Sequence, residues 1–206
     1  MREYRRAQSG CIQERLGVLA AYRMEKKGRA VMSENIRVLI SQEKLTERIR
    51  TMAQQISREF EGQSVHLICI LKGSAFFTCE LAKYLTVPVT MDFMSVSSYG
   101  SGTKSSGVVR LLKDLDEAIE DRNVIVIEDI IDSGRTLSYL LENLSGRHPK
   151  TLRLAALLDK PDRRVTDVKV DYTGFVIPDE FVVGFGLDYD QRYRNLPYIG
   201  VLSFDE

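Results

Sequence analysis

The sequence predicts an α/β fold built on a mainly parallel, twisted sheet flanked by helices. Three observations carry this. Apolar β-branched runs alternate with helix-period segments along the chain, which is the pattern of a parallel sheet covered on both faces. The run Val124-Ile125-Val126-Ile127 is apolar at every position, as a strand buried on both faces requires. Beyond a short polar loop, Leu137, Leu140, Leu141 and Leu144 recur at i, i+3, i+4 and i+7, the stripe of a core-facing helix.

The elements follow in order. Arg37 to Ile40 reads as a short strand, and Ser41 is a good N-cap for the next segment. Leu45, Ile49, Met52, Ile56 and Phe60 repeat at helical spacing until Gly62 stops the helix. Val65 to Leu71 is the next strand, ending in Lys72-Gly73, and a helix is expected over Phe76 to Leu85. Pro88 to Val96, Val108 to Leu112, Val124 to Ile127 and Thr151 to Leu158 supply further strands, with the helix after Gly134 between the last two. Neither an internal repeat nor an interdomain linker is visible.

Composition narrows the function. A chain of 206 residues suits one α/β domain with a substantial core. Its 29 basic and 29 acidic residues balance, so no global field draws in nucleic acid or an anionic membrane. No apolar run approaches the ~18 residues of a membrane span. Small molecules are therefore the expected partners. Cys11, Cys69 and Cys79 are too few and too scattered for a disulfide framework or a zinc site. Cys69 and Cys79, in apolar surroundings, read as buried small hydrophobes, which favours a reducing cytoplasm. His66 and His148 lack metal-ligand spacing. Residues 1–30 mix Arg and Lys with Glu and hold no sustained apolar region. They read as an N-terminal extension, without the h-region of a secretory signal, and the domain is expected over 31–206.

The chemistry concentrates where the buried strand meets Glu128-Asp129-Ile130-Ile131-Asp132-Ser133-Gly134-Arg135-Thr136. The order is strand, paired acids, small polar loop, helix N-terminus. Ligands of open α/β sheets bind at such carboxyl ends. Ser133 to Thr136 offer backbone N–H groups and hydroxyls at a helix start, an anion site. Acids beside a bound phosphate repel it unless they serve sugar hydroxyls or a divalent cation. A sugar phosphate with vicinal diols satisfies both halves. The two other apolar strand-to-ligand motifs, G-x-x-x-x-G-K-[ST] and G-x-G-x-x-G, do not occur.

This string resembles the phosphoribosyl pyrophosphate signature of type I phosphoribosyltransferases. The resemblance implies that Glu128 and Asp129 hold the ribose hydroxyls, that Asp132 lies at the base as catalytic acid/base, and that Ser133, Gly134, Arg135 and Thr136 cradle the 5′-phosphate. It also implies a small hood built from N- and C-terminal segments over the sheet.

Four further segments extend the likeness. Ser97 to Gly107 is Ser/Gly-rich and too polar to repay ordering, and long polar loops of compact domains are often lids. The family closes a loop bearing Ser and Tyr over its reacting centre, which implies roles for Ser98 and Tyr99. Its Leu-Lys-Gly turn contacts pyrophosphate, here Lys72 and Gly73. Lys160 follows an apolar strand that Pro161 ends, and a lysine there can donate to a carbonyl oxygen of a base. In Phe181 to Arg194, Phe181 offers a stacking face and Gly184 and Gly186 permit close approach. Phe181 and Phe185 as core residues is an equally good reading of the same string.

Together these segments, with Arg194-Asn195-Leu196-Pro197-Tyr198-Ile199-Gly200, resemble the hypoxanthine-guanine phosphoribosyltransferases of bacteria from about Val38 to Ser203. Lys160 would then bond a purine 6-oxo group, Phe181 would stack on the ring, and the Val182 backbone would meet the base edge. Asp188 would serve a second magnesium ion and Arg194 the pyrophosphate. The cofactor implied is Mg2+, one ion reaching Glu128 and Asp129 through the ribose and another at Asp188, and the assembly implied is a homo-oligomer, dimer or tetramer. Two alternatives stay open: a regulator of this fold that binds nucleic acid, and a relative preferring xanthine.

Overall fold

A computed structural model of the chain describes residues 34–98 and 109–204. The proposed extension at 1–30 and Tyr99 of the proposed lid lie outside the described residues, and Ser98 enters only as the last residue of a strand.

The described chain runs β1 (Glu34–Ile40), α1 (Gln42–Glu59), β2 (Val65–Leu71), α2 (Ala75–Ala82), β3 (Val89–Ser98), β4 (Val109–Lys113), β5 (Asn123–Ile131), α3 (Arg135–Ser145), β6 (Thr151–Asp159), β7 (Tyr172–Val176), β8 (Val182–Val183) and β9 (Ile199–Phe204). A six-stranded sheet has the order β4-β3-β2-β5-β6-β7. Its neighbours are parallel except β3 and β4. The second sheet, β1-β9-β8, is antiparallel and joins the two ends of the described chain.

Strand alternation explains how both faces of the main sheet are covered. Ile125, Ile127, Ala155 and Leu157 pack with Leu45, Ile49, Met52 and Ile56 of α1 and with Phe77 and Leu81 of α2. Val124, Val126, Leu154 and Ala156 point the other way, onto Leu137, Leu140 and Leu144 of α3. Each Val, Leu, Ile, Met or Phe among them contributes about 1.5–3 kcal/mol when fully buried, so the two cores hold the central strands in place. At the start of α1, the Ser41 hydroxyl accepts from Lys44 N at 3.4 Å.

Three local expectations change. The helix expected to reach Leu85 ends at Ala82, because Tyr84 N and Leu85 N bond three residues back and tighten the last turn. Cys79 is exposed while Cys69 is buried. On α2 the buried side chains are Phe77, Thr78 and Leu81, and a residue two beyond Phe77 falls on the opposite helix face. Lastly, β5 does not stop at Ile127. Its pairing with β6 continues through Glu128↔Ala156, Ile130↔Leu158 and Ile131↔Asp159, so the paired acids sit inside the strand.

Candidate active site

The parallel register of β2, β5 and β6 brings their carboxyl ends side by side, and the segment between β8 and β9 meets the end of β2 at Gly186. Leu71 and Lys72 end β2 through a cis peptide, and Gly73 follows, buried. A Cβ built on Gly73 would overlap the carboxylate of Asp129, and one built on Gly186 would overlap the carbonyl oxygen of Gly73. Only glycines at both positions let the turn after β2, the acid on β5 and the segment before β9 close on one another. Gly186 has φ +103, a conformation that side-chain-bearing residues rarely adopt.

The two acids of β5 are short of positive charge. Glu128 Oε2 is buried without a hydrogen-bond partner among the described residues. Burial, and then the neighbouring Asp129 charge, push its carboxyl well above the usual range. Burial also pushes Asp129 up to about 6, although the backbone N–H of Ile130 (2.8 Å) and the Arg194 guanidinium oppose it and Asp188 adds to it. A buried carboxylate with an unsatisfied oxygen, next to a second raised acid, is a donor set suited to a divalent cation or to sugar hydroxyls. Asp188 lies within electrostatic reach of Asp129, but it already pairs with Arg194 at 2.6 Å and accepts from Gln191 N at 2.8 Å. Arg194 in turn donates to Gly186 O at 2.6 Å, and Lys72 Nζ reaches Gln191 Oε1 at 3.4 Å.

The loop after β5 is braced by a segment not foreseen from the sequence. Gly134 caps α3 with φ +80, and a Cβ there would come within 2.6 Å of Thr166 O. Ser133 O accepts from Val165 N (3.0 Å) and Thr166 N (3.1 Å). The first helical bond of α3 runs from Ser138 N to Gly134 O, so the amides of Arg135, Thr136 and Leu137 stand ahead of the ladder. Ser133 Oγ accepts from Arg135 N at 3.5 Å. Asp132 is half-exposed, and its carboxylate meets Arg163 Nε at 2.8 Å. Arg164 donates to Asp132 O at 3.2 Å and pairs with Asp159 at the end of β6.

On the β6 side, Lys160 is buried and its ammonium donates to Glu180 O at 2.7 Å, with Asp179 Oδ1 at 3.5 Å. Phe181 is 53% exposed, so it is not a core residue. Tyr189 meets its ring edge-on, with centroids 5.8 Å apart. Val182 is buried in β8. Phe185 packs against the core and approaches Phe76 at 6.3 Å. The sequence residues at the ends of β2, β5 and β6 and in the 181–194 segment therefore share one end of the sheet. Sequence reasoning missed Arg163, Arg164 and Asp179. The signal was present as the consecutive arginines of Lys160-Pro161-Asp162-Arg163-Arg164.

Comparison with known proteins bears on this geometry. A family model described as the phosphoribosyl transferase domain matches residues 40–190. The hypoxanthine-guanine phosphoribosyltransferase of Streptococcus thermophilus is 50% identical over 167 residues, covering 81% of this chain and 93% of that protein. The bifunctional protein TilS/HprT of Listeria monocytogenes is 52% identical over 167 residues, covering 81% of this chain, which spans only 26% of that longer relative. A crystal structure of a hypoxanthine-guanine phosphoribosyltransferase from Bacillus anthracis, 48% identical, superposes with a TM-score of 0.79 over 82% of this chain and 100% of the other. A parallel sheet whose strand ends carry paired acids and a glycine-capped anion loop, matched in sequence over most of its length, makes this chain a member of the phosphoribosyltransferase family.

Proposed function

We propose that the protein transfers the 5-phosphoribosyl group from 5-phosphoribosyl 1-pyrophosphate to N9 of a 6-oxopurine, hypoxanthine or guanine. The products are IMP or GMP and pyrophosphate, and the role is purine salvage in the cytoplasm. The observation that carries this reading is the pairing of a base-reading wall with a sugar-phosphate end. Lys160 sits beside the end of β5, its N–H bonded to Ile131 O at 3.0 Å, and its ammonium meets Glu180 O next to the exposed ring of Phe181. The names of the relatives at about half identity support the same substrate class.

The roles follow from chemistry. The amides at the start of α3, with Ser133 and Thr136, bind the 5′-phosphate, where the helix dipole favours an anion. Glu128 and Asp129 accept from the ribose hydroxyls, which gives the unpartnered Glu128 oxygen a donor. Lys72, Gly73 and Arg194 receive the pyrophosphate. As the C1–O bond to pyrophosphate breaks, positive charge grows on the sugar, and the nearby acids stabilise it electrostatically. The bond from C1 to N9 forms, and Asp132 takes or shares the purine ring proton, at N7. Lys160 turns its ammonium from a main-chain carbonyl towards the 6-oxo group, and Phe181 stacks on the ring.

Glu128 and Asp129 would serve one Mg2+ through the ribose and Asp188, released from Arg194, a second; the metal would spread the charge of a pyrophosphate and make it a better leaving group. Among the described residues no helix is long and apolar enough to cross a membrane.

The test is an assay of purified protein with each purine base, phosphoribosyl pyrophosphate and magnesium. Hypoxanthine or guanine should be consumed and adenine left untouched. A lysine donor mismatched to a 6-amino group can cost on the order of 10⁴ in specificity. Efficient turnover of adenine or orotate would overturn the reading.

A further inference from the structure

Arg163 occupies a position that the roles above do not use. Its Nε meets Asp132 Oδ1 at 2.8 Å, and its Nη1 lies 3.4 and 3.3 Å from the two carboxylate oxygens of Asp179. Asp179 also faces the ammonium of Lys160 at 3.5 Å, and Lys160 bonds the carbonyl of the next residue, Glu180. The guanidinium is thus a bridge. One edge holds the acid assigned to the purine proton, and the other holds the acid beside the lysine assigned to the purine oxygen.

Local structure fixes the bridge. Pro161 opens a single 3-10 turn over Pro161–Arg163, closed by Arg163 N to Lys160 O at 3.2 Å. That turn carries the side chain back across the end of β6. Arg164 anchors the turn from below through Asp159, the Asp132 carbonyl and Val168 O. The bridging side chains are about half-exposed: 51% for Arg163, 49% for Asp132 and 46% for Asp179. Exposed ion pairs stabilise a fold little, so this one has small structural value. A planar fork that reaches two carboxylates in fixed directions does have geometric value, and a lysine ammonium cannot copy it.

We infer that Arg163 is a positioning residue for the purine. It sets the separation between the Asp132 carboxylate and Lys160, and so the register in which a 6-oxopurine presents its ring nitrogen to one and its oxygen to the other. This rests on the reading of Asp132 and Lys160 proposed above. Arg163 acts through Asp132 directly and through Lys160 by way of Asp179, not by touching the purine.

The experiment is initial-rate kinetics on the full chain, varying purine and phosphoribosyl pyrophosphate separately, for wild type, Arg163→Ala, Arg163→Lys, Asp179→Asn and the Arg163→Ala/Asp179→Asn double variant. Arg163→Ala should raise the purine KM and lower kcat, together costing about tenfold or more in kcat/KM for the base. The KM for phosphoribosyl pyrophosphate should stay within about twofold, because the ribose and phosphate contacts are separate. Arg163→Lys should recover only part of the loss. Asp179→Asn should show the same split, and the double variant should be no worse than the poorer single, as for residues acting as one unit. Unchanged purine kinetics in Arg163→Ala overturns the inference, and so does a parallel rise in both KM values with a lowered melting temperature. A wild-type protein that turns over no 6-oxopurine overturns the reading of the site itself, which the same assay shows before any variant is compared.

Discussion

Gly73, in the turn after β2, lies directly against the Asp129 carboxylate of β5, with no room for even one methyl group between them. This contact binds a main-chain segment assigned to pyrophosphate to an acid assigned to ribose. Gly73→Ala must therefore displace Asp129 or the turn. The expected outcome is a rise in the KM for phosphoribosyl pyrophosphate of about tenfold or more, with the purine KM less affected. Steady-state kinetics with each substrate varied in turn checks it. Wild-type behaviour in the variant would mean that the turn moves freely and that its closeness to Asp129 has no consequence for binding.

Asp129 links stability to pH with an unusual sign. Burial raises its carboxyl from 3.8 to about 6, so the folded state prefers the protonated form. Its contribution to stability is fully present below about 3.8, falls as pH rises towards 6, and is then a constant penalty. Asp129→Asn removes that penalty. At pH 7.5 the ligand-free variant should be more stable than wild type, on the order of 2 kcal/mol by denaturant unfolding, while its KM for phosphoribosyl pyrophosphate rises. A variant that is less stable at every pH would refute the assignment of the strain to this charge.

Asp132 should behave differently from Asp129. It is half-exposed on the loop after β5, where it meets the base side of the site through Arg163. Asp132→Asn should lower kcat by roughly 10²-fold or more, the usual range for a lost acid or base, with little change in the KM for phosphoribosyl pyrophosphate. Comparing Asp132→Asn with a Glu128→Gln/Asp129→Asn double variant separates chemistry from binding. Equal, modest effects on both sides would remove the division of labour.

Asp92 gives a stability prediction far from catalysis. It is buried on β3, and its carboxylate accepts from Phe93 N (2.6 Å), Asp116 N (2.7 Å) and Glu117 N (3.4 Å). Burial would raise its pKa, but these bonds and the Lys113 charge outweigh it and hold the group below 3.8. Stability from Asp92 is therefore present above that value and lost as pH falls below it. Asp92→Asn should cost about 1–3 kcal/mol at neutral pH, the range for hydrogen bonds to a charged group. The difference from wild type, read by thermal melts, should shrink below pH ~4. An undiminished gap in acid would show that the loss is steric.

What could be read from the sequence was what two-sided burial and periodicity write directly. β2, β5 and β6 are apolar at nearly every central position, and the stripes of α1 and α3 match the side chains that the cores enclose. β7 could not be read that way. Tyr172–Val176 is a short edge strand interrupted by Gly174, whose missing side chain is needed because a Cβ there would overlap the Leu157 carbonyl. Within the site, the strand-end acids and the glycine-capped loop were legible because they are contiguous. Gly186 against Gly73 and Arg163 against Asp132 were not. Those contacts join segments far apart in the chain, and only the folded register of the parallel sheet brings them together.

The small antiparallel sheet has a consequence for how the protein is made. Within it, β1 bonds only to β9, and β8 likewise bonds only to β9. The six strands of the larger sheet are all complete by Val176, before β9 has left the ribosome. A growing chain can thus pair all six of those strands while β1 still waits for its partner and Phe181 and Val182 lack theirs. Among the described residues the small sheet is thus the last part of the fold to close, and it does so on the six residues of Ile199–Phe204.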